Sequence, residues 1–295
     1  MNEALSGAIH GVRRLEPEDF PGLLRSIDDA PQRLFIRGEM SEDRPAVAIV
    51  GTRRPSQYGR RITRRLAADF ARAGIVVVSG LARGVDTEAH RAAMAAGGRT
   101  WAVLGSGLDC VYPLENKSLA DEIVVRGGCV ISEYPPKEGP LAWKFPRRNR
   151  IVSGLSWAVI VVEGGEKSGA LITARTASEQ GRDVFAVPGP VDSPMSAAPH
   201  RLLRNGAGLL RRAEDVMAEI PALRNCRIGG VSPIKEESFT LDEEKILQLL
   251  GSENLALEAL VTASALPLPR LLDILTGLEA RGIISALPGQ NYGRI

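Results

Sequence analysis

The 295-residue sequence has few rings and few metal-seeking side chains: 3 Trp, 4 Tyr, 6 Phe, 3 His and 3 Cys. Cys110, Cys129 and Cys226 form no C-x-x-C pair and have no histidine nearby, which excludes a disulfide framework and a structural zinc site. They read as buried or idle thiols. With histidine only at positions 10, 90 and 200 and no G-x-S-x-G elbow, a hydrolase triad is unsupported. No apolar run approaches the roughly 18 residues of a membrane span, the longest candidate being Trp157 to Val162. The first segment carries Glu3 and no apolar stretch of the signal-peptide kind, so the expected location is cytoplasmic.

Strong charge of one sign is missing too, but the net +2 conceals an asymmetry. Residues 236–295 hold nine carboxylates against four bases, net −5, which leaves +7 for residues 1–235. Only the front part favours a polyanion. What remains is ordinary globular composition, 44% hydrophobic and 24% charged, with a generous 31 glycines.

Short β-branched runs recur: AVAIV at 46, IVVV at 75, TWAVL at 100, CVI at 129, WAVIVV at 157 and DVFAV at 183. Their starts are spaced as a strand, a loop and a returning helix require, and their lack of alternation suits strands covered on both faces. The spacing predicts an α/β fold with a doubly wound, mostly parallel sheet. A helix is predicted over 60–73, where Ile62, Leu66 and Phe70 make one stripe and Arg60, Arg61, Arg64 and Arg65 take other faces. Residues 1–44, with Pro17, Pro21 and Pro31, read as a lead-in segment, and 45–224 as the main domain. Gly, Pro and charge make 225–239 a linker. Three helical patterns and a ribbon with a turn at Pro288-Gly289 make 240–295 a winged-helix-like domain.

In such a sheet ligands bind where loops leave the carboxyl ends of strands. Those loops are rich in glycine and polar groups: Gly51 to Ser56, Ser79 to Gly84, Gly105 to Gly107, Ser132 to Pro136 and Glu163 to Gly169. Glycine admits a phosphate to main-chain N–H groups, and Arg53 and Lys167 add full charges. The alternative is that glycine merely shapes the turns and the cations are solvated. The spacing around Lys167-Ser168 is not that of a P-loop, and Gly105-Ser106-Gly107-Leu108-Asp109-Cys110 lacks the third glycine of a dinucleotide fingerprint.

The densest basic run is Lys144-Phe145-Pro146-Arg147-Arg148-Asn149-Arg150, beside Trp143. Cations interleaved with rings suit a single-stranded nucleic acid. Alternatively Arg147 and Arg150 pin neighbouring loops. Asp86, Thr87 and His90 open a helix and read as structural capping before acid/base work; Asp109, Glu133 and Glu163 read as loop-ordering groups.

At these residues the sequence resembles the DNA-processing protein A family (DprA, also called Smf). The resemblance rests on AIVGTRRPSQYG at 48–59, SGLARGVDTEAH at 79–90, AVLGSGLDCVYPLEN at 102–116, ISEYPP at 131–136, FPRRNRIVSGLS at 145–156, VVEGGEKSGALITA at 161–174 and FAVPGP at 185–190. It covers about 46–217. It implies a Rossmann-like domain that binds single-stranded DNA without catalysis or cofactor. The resemblance further implies that, as a homodimer, the protein helps load the RecA recombinase onto incoming DNA during natural transformation, competence and recombination. It assigns strand contacts to Arg53 and Lys167, with Gly51, Thr52, Ser168 and Gly169 offering donors. It extends to Arg148, Asn149 and Arg150. One stretch departs from the family pattern: Ala198 and His200 stand where a glycine and an asparagine are usual. The acidic tail is expected to bind a partner, or DNA only weakly. Two readings from other classes compete. One is a nucleoside-monophosphate hydrolase using Glu163 or Glu133 as acid or base, the other a scaffold whose basic face docks an acidic partner.

Overall fold

Six adjacent parallel strands arise from the six β-branched runs: β3 (Ala46–Val50), β4 (Val76–Ser79), β5 (Thr100–Leu104), β6 (Cys129–Ser132), β7 (Ala158–Val161) and β8 (Asp183–Ala186). The computed structural model describes residues 11–40, 44–228, 240–250, 254–280, 283–287, 289 and 291–294. The chain divides into two compact units, Met1–Gly229 and Gly230–Ile295. In the first, β1 (Val12–Leu15), helical turn α1 (Gly22–Arg25) and β2 (Leu34–Gly38) precede β3. The helices that follow are α2 (Gln57–Arg72), α3 (Val85–Ala95), α4 (Lys117–Val125), α5 (Lys144–Gly154), α6 (Gly169–Glu179), α7 (Ala197–Arg204) and α8 (Ala213–Glu219), with a short strand β9 (Gly208–Leu209).

The sheet order is β1-β2-β6-β5-β4-β3-β7-β8-β9. Along β3 the side chains alternate between two cores. Val47 and Ile49 meet the α2 stripe of Ile62, Leu66 and Phe70, whereas Ala48 and Val50 meet Phe20, Leu24, Ile151 and Ala174 on the other side. Burial on both faces is why these strands read as unbroken apolar runs. Leu66 and Phe70 are fully buried, each worth about 1.5–3 kcal/mol of transfer free energy. Helix α2 starts a turn earlier than its apolar pattern suggests, because Ser56 caps it by accepting from Gly59 N at 3.1 Å. The lead-in residues join the main sheet: β2 pairs antiparallel with β6, Phe35 opposite Ser132. Residues 1–10 of that segment lie outside the described residues.

The second unit holds α9 (Leu241–Leu249), β10 (Leu255–Ala256), α10 (Leu257–Ser264), α11 (Leu268–Ala280), β11 (Ile284–Leu287) and β12 (Asn291–Arg294). Three helices bury Ile246, Leu250, Leu260, Leu271 and Leu275 together, and β11 and β12 form the antiparallel wing, Ser285 opposite Gly293. Gly289 turns the wing at φ +80; Pro288 lies outside the described residues. Thr240 and Glu243 form a capping box at α9. Among the described residues no single helix is long and apolar enough to cross a membrane.

Candidate nucleic-acid interface

From β3 the chain winds outward through β4, β5 and β6, then returns to the other side of β3 as β7. Loops after β3 and β7 therefore diverge, and a crevice opens between them at the carboxyl edge. That crevice is a cleft of about 1030 Å³.

The two loops are tied together. Thr52 N donates to Glu163 O at 2.7 Å. The Glu163 carboxylate, itself buried, accepts from Ser56 N at 2.9 Å and from Ser56 Oγ at 2.5 Å. It thus occupies the N-terminus of α2, where the helix dipole favours negative charge. The β7 loop is held from behind: Gly164 N donates to Met195 O at 2.7 Å and Ala198 N to Gly164 O at 2.8 Å. At the start of α6, Ser168 Oγ accepts from Ala170 N at 3.3 Å. Ala198 and His200 lie in α7, where no positive φ is needed, and His200 Nε2 lies 3.0 Å from Gly189 O.

Under the β3 loop runs the loop after β4. Gly84 has φ +78, and a Cβ there would stand 2.5 Å from Thr52 O and 2.6 Å from Arg53 C. Only glycine lets these two backbones pass so closely. Leu81 adopts φ 57, a left-handed conformation held by Asn116 Nδ2 donating to Leu81 O at 2.9 Å. Asp86 is not the expected cap; Gly84 is, and the buried Asp86 carboxylate accepts from Gly80 N at 3.1 Å and Ala82 N at 3.3 Å.

The basic run forms helix α5, so its cations diverge. Lys144 is fully buried, its Nζ 2.5 Å from Glu138 Oε1, donating to Gly139 O at 2.7 Å and 4.6 Å from the Tyr134 ring centroid. Arg148 is buried beneath the cleft floor, donating to Gly80 O at 2.6 Å and to Val103 O. Burial pulls its pKa down to about 10, so it stays charged at neutral pH. The same burial raises Asp86, with Arg148 opposing. His90 is lowered to about 3, by burial first and Arg148 second. Thr100 Oγ1 spends its one proton on Val77 O at 2.6 Å, so His90 Nδ1 must be the donor across its 2.6 Å contact to Thr100 Oγ1.

Of the residues singled out in the sequence, Gly51, Thr52, Arg53, Ser168, Gly169, Arg148 and Asn149 line the cleft. Lys167 is exposed on the rim loop between Gly165 and Ser168, which line it. Arg150 turns to the far side of α5, pairing with Glu133 at 2.6 Å and Asp29 at 3.4 Å. Tyr112, half exposed and 5.5 Å from Phe145 between ring centroids, also lines the cleft. Sequence reasoning missed it, although a ring in a strand-end loop was the available signal. Among the described residues no group of three or more His, Cys, Asp or Glu could hold a metal ion.

A Rossmann-like switch-point cleft lined by glycine-rich strand-end loops and arginine, on a chain that also carries a winged helix, is the architecture of a nucleic-acid-handling protein. The family model for DNA recombination-mediator protein A matches residues 12–221, and that for the DprA winged helix domain matches 233–290. The chain belongs to the DNA recombination-mediator protein A family. It is 37% identical to Protein Smf of Escherichia coli over 95% of this chain and 76% of that one. It is 46% identical to DNA processing protein DprA of Bacillus subtilis over 70% of each. The X-ray structure of DprA from Streptococcus pneumoniae superposes with a TM-score of 0.66 at 42% identity, covering 75% of this chain and 78% of that one. DNA processing protein A from Helicobacter pylori, described with a single-stranded DNA binding mode, gives 0.66 at 30% identity, covering 74% and 99%.

Proposed function

We propose that the protein is a non-enzymatic recombination mediator whose switch-point cleft grips unpaired DNA by its phosphates. The observation that carries this reading is that the β3 loop, with Arg53, and the β7 loop, on which Lys167 is exposed between lining residues Gly165 and Ser168, border one cleft and are bonded to each other through Glu163. Arg53 is exposed and makes a planar two-point donor to a phosphate, while Lys167 acts as a point charge from the rim. Gly51, Thr52, Ser168 and Gly169 supply neutral donors, and Arg148 and Asn149 the floor. Arg150, set behind α5, supports the helix that carries that floor.

The carboxylates a hydrolase would need are engaged elsewhere. Glu163 is tied to Ser56, and Glu133 lies across α5 against Arg150. As a cytoplasmic homodimer that hands its strand to the RecA recombinase, the protein would act in recombination and transformation. Family membership supports that assignment.

The test is a titration of labelled single-stranded and duplex DNA at two salt concentrations. Single-stranded DNA is expected to bind more tightly, with a logarithmic salt slope of about −0.7 per neutralised phosphate. Arg53→Ala and Lys167→Ala should each weaken binding and flatten the slope. Unchanged affinity in both variants rejects the site, and competition by oligo-dT separates it from an acidic-partner scaffold.

A further inference from the structure

Helix α5 has two unlike faces. At about 100° per residue, Phe145, Arg148, Asn149 and Val152 fall on one side and border the cleft described above, whereas Arg147 and Arg150 fall opposite. The opposite side opens on a second groove of about 790 Å³, bounded by Tyr134 after β6, by Gln32 and Arg33 ahead of β2, and by Thr176 of α6. Pro146, in the first turn of α5, borders both grooves, so the two meet over that turn.

Each carboxylate in this groove has an arginine beside it, on one oxygen only in the case of Glu133. Glu133 accepts from Arg150 at 2.6 Å, Glu179 from Arg175 at 2.7 Å, and Asp29 lies 3.4 Å from Arg150. Two arginines are left over. Arg147 is half exposed and reaches Glu133 only at 3.4 Å. Arg33 is exposed, and among the described residues its guanidinium has no hydrogen-bond or ion-pair partner. Deeper in the wall, Arg150 Nη1 and Tyr134 Oη are buried without a partner. Glu133 Oε2 is an unpartnered acceptor in the same wall, so the donors open to a phosphate are the outward guanidiniums of Arg33 and Arg147. Trp143, half exposed at the N-cap of α5 and edge-on to Tyr134 at 6.1 Å, stands beside the crossing as a surface on which a base can stack.

We propose that this second groove takes the sugar–phosphate backbone of the same unpaired strand as it leaves the first cleft over Pro146, with Arg33 and Arg147 each meeting a phosphate. The proposal rests on the reading of the first cleft and adds a length dependence to it. A short oligonucleotide fills the first cleft alone, whereas a longer one also spans the second groove.

The experiment compares oligo-dT of about 5 and about 20 nucleotides, one near the lower end of the roughly 4–16-nucleotide footprints of single-strand binders and one beyond the upper end. The full chain is used as wild type, as the double variant Arg33→Ala/Arg147→Ala, as the corresponding double Lys variant, and as Arg53→Ala. In the double Ala variant the short oligomer is expected to bind within about twofold of wild type, while the long one weakens about tenfold or more. The long oligomer's salt slope should also shrink by about 1.4, two phosphates at about 0.7 each. The double Lys variant should recover most of that loss. Equal weakening at both lengths in a variant whose urea midpoint matches wild type, or no change at the longer length, overturns the second groove; where the double Ala variant is destabilised, the length comparison is read as a ratio of the two affinities, which a common loss of folded protein leaves unchanged. Arg53→Ala should weaken both lengths. If it weakens neither while the double variant weakens the long one, the first-cleft reading fails by itself.

Discussion

Glu163 and His90 are both buried, yet their chemistry differs. Removing the Glu163 side chain breaks both hydrogen bonds from Ser56; Ser56 is exposed and its donors return to water, so the cost is that of a hydrogen bond to a charged group, about 1.5–3 kcal/mol. Glu163→Ala should therefore lower the urea midpoint and also weaken single-strand binding, since the same carboxylate anchors the start of α2 beneath the β3 loop. Full retention of affinity in a folded variant would sink that link. His90 gives a pH signature. It takes up a proton below about 6.5 in the unfolded chain but only at about 3 in the folded one, so the unfolded state holds more protons between those values. Stability then falls as pH drops through that window, by up to about 1.4 kcal/mol per pH unit from this group. Asp86, whose pKa burial raises, acts in the opposite sense. His90→Gln should flatten the acid limb of a stability-against-pH curve, and an identical limb in both proteins would refute the assignment. None of this pairing was legible in the sequence, because Thr100 follows His90 by ten residues and meets it only when α3 folds back on β5.

The parallel strands were legible because burial on both faces leaves an apolar run that no surface strand would carry. The lead-in strands were not, since β2 finds its partner β6 some ninety residues later and neither flanking run is long. Helix α5 was also hidden: KFPRRNR shows no apolar stripe and contains a proline, which a helix tolerates only because Pro146 sits in its first turn. A basic run read as a nucleic-acid patch, or as pins between neighbouring loops, is a rib with Lys144, Arg148 and Arg150 largely inside, and Arg150 does pin Glu133 and Asp29. The strand-end loops were correctly placed from the strand spacing, and Glu163 is the loop-ordering group it was read as, though its partner Ser56, 107 residues away, was not foreseeable. Two substitutions separate element stability from site geometry. Leu66→Ala, in the core of α2, should cost about 2–5 kcal/mol of unfolding free energy while the folded fraction binds single-stranded DNA normally. Gly84→Ala should cost affinity as well, because its Cβ would meet Thr52 O and Arg53 C under the site at a φ of +78. Gly84→Ala binding like wild type would show that the crossing of these loops does not set the position of Arg53.

Across the whole chain, charge separates the two units more clearly than composition does. Residues 1–235 carry net +7 and residues 236–295 net −5, so phosphate neutralisation falls to the Rossmann-like unit. A winged helix of this charge adds little counterion release. A chain of residues 1–235 should accordingly bind single-stranded oligo-dT within about threefold of the full-length affinity, with a salt slope at least as steep. If truncation instead costs tenfold or more and the slope shallows, the winged helix contributes phosphate contacts despite its net charge, and the positive end of one of its helices would be the place to look. If affinity holds but function with a recombinase partner is lost, the acidic unit is a docking module. Exposed Leu268 and Leu272, one turn apart on α11, are then the side chains to change first.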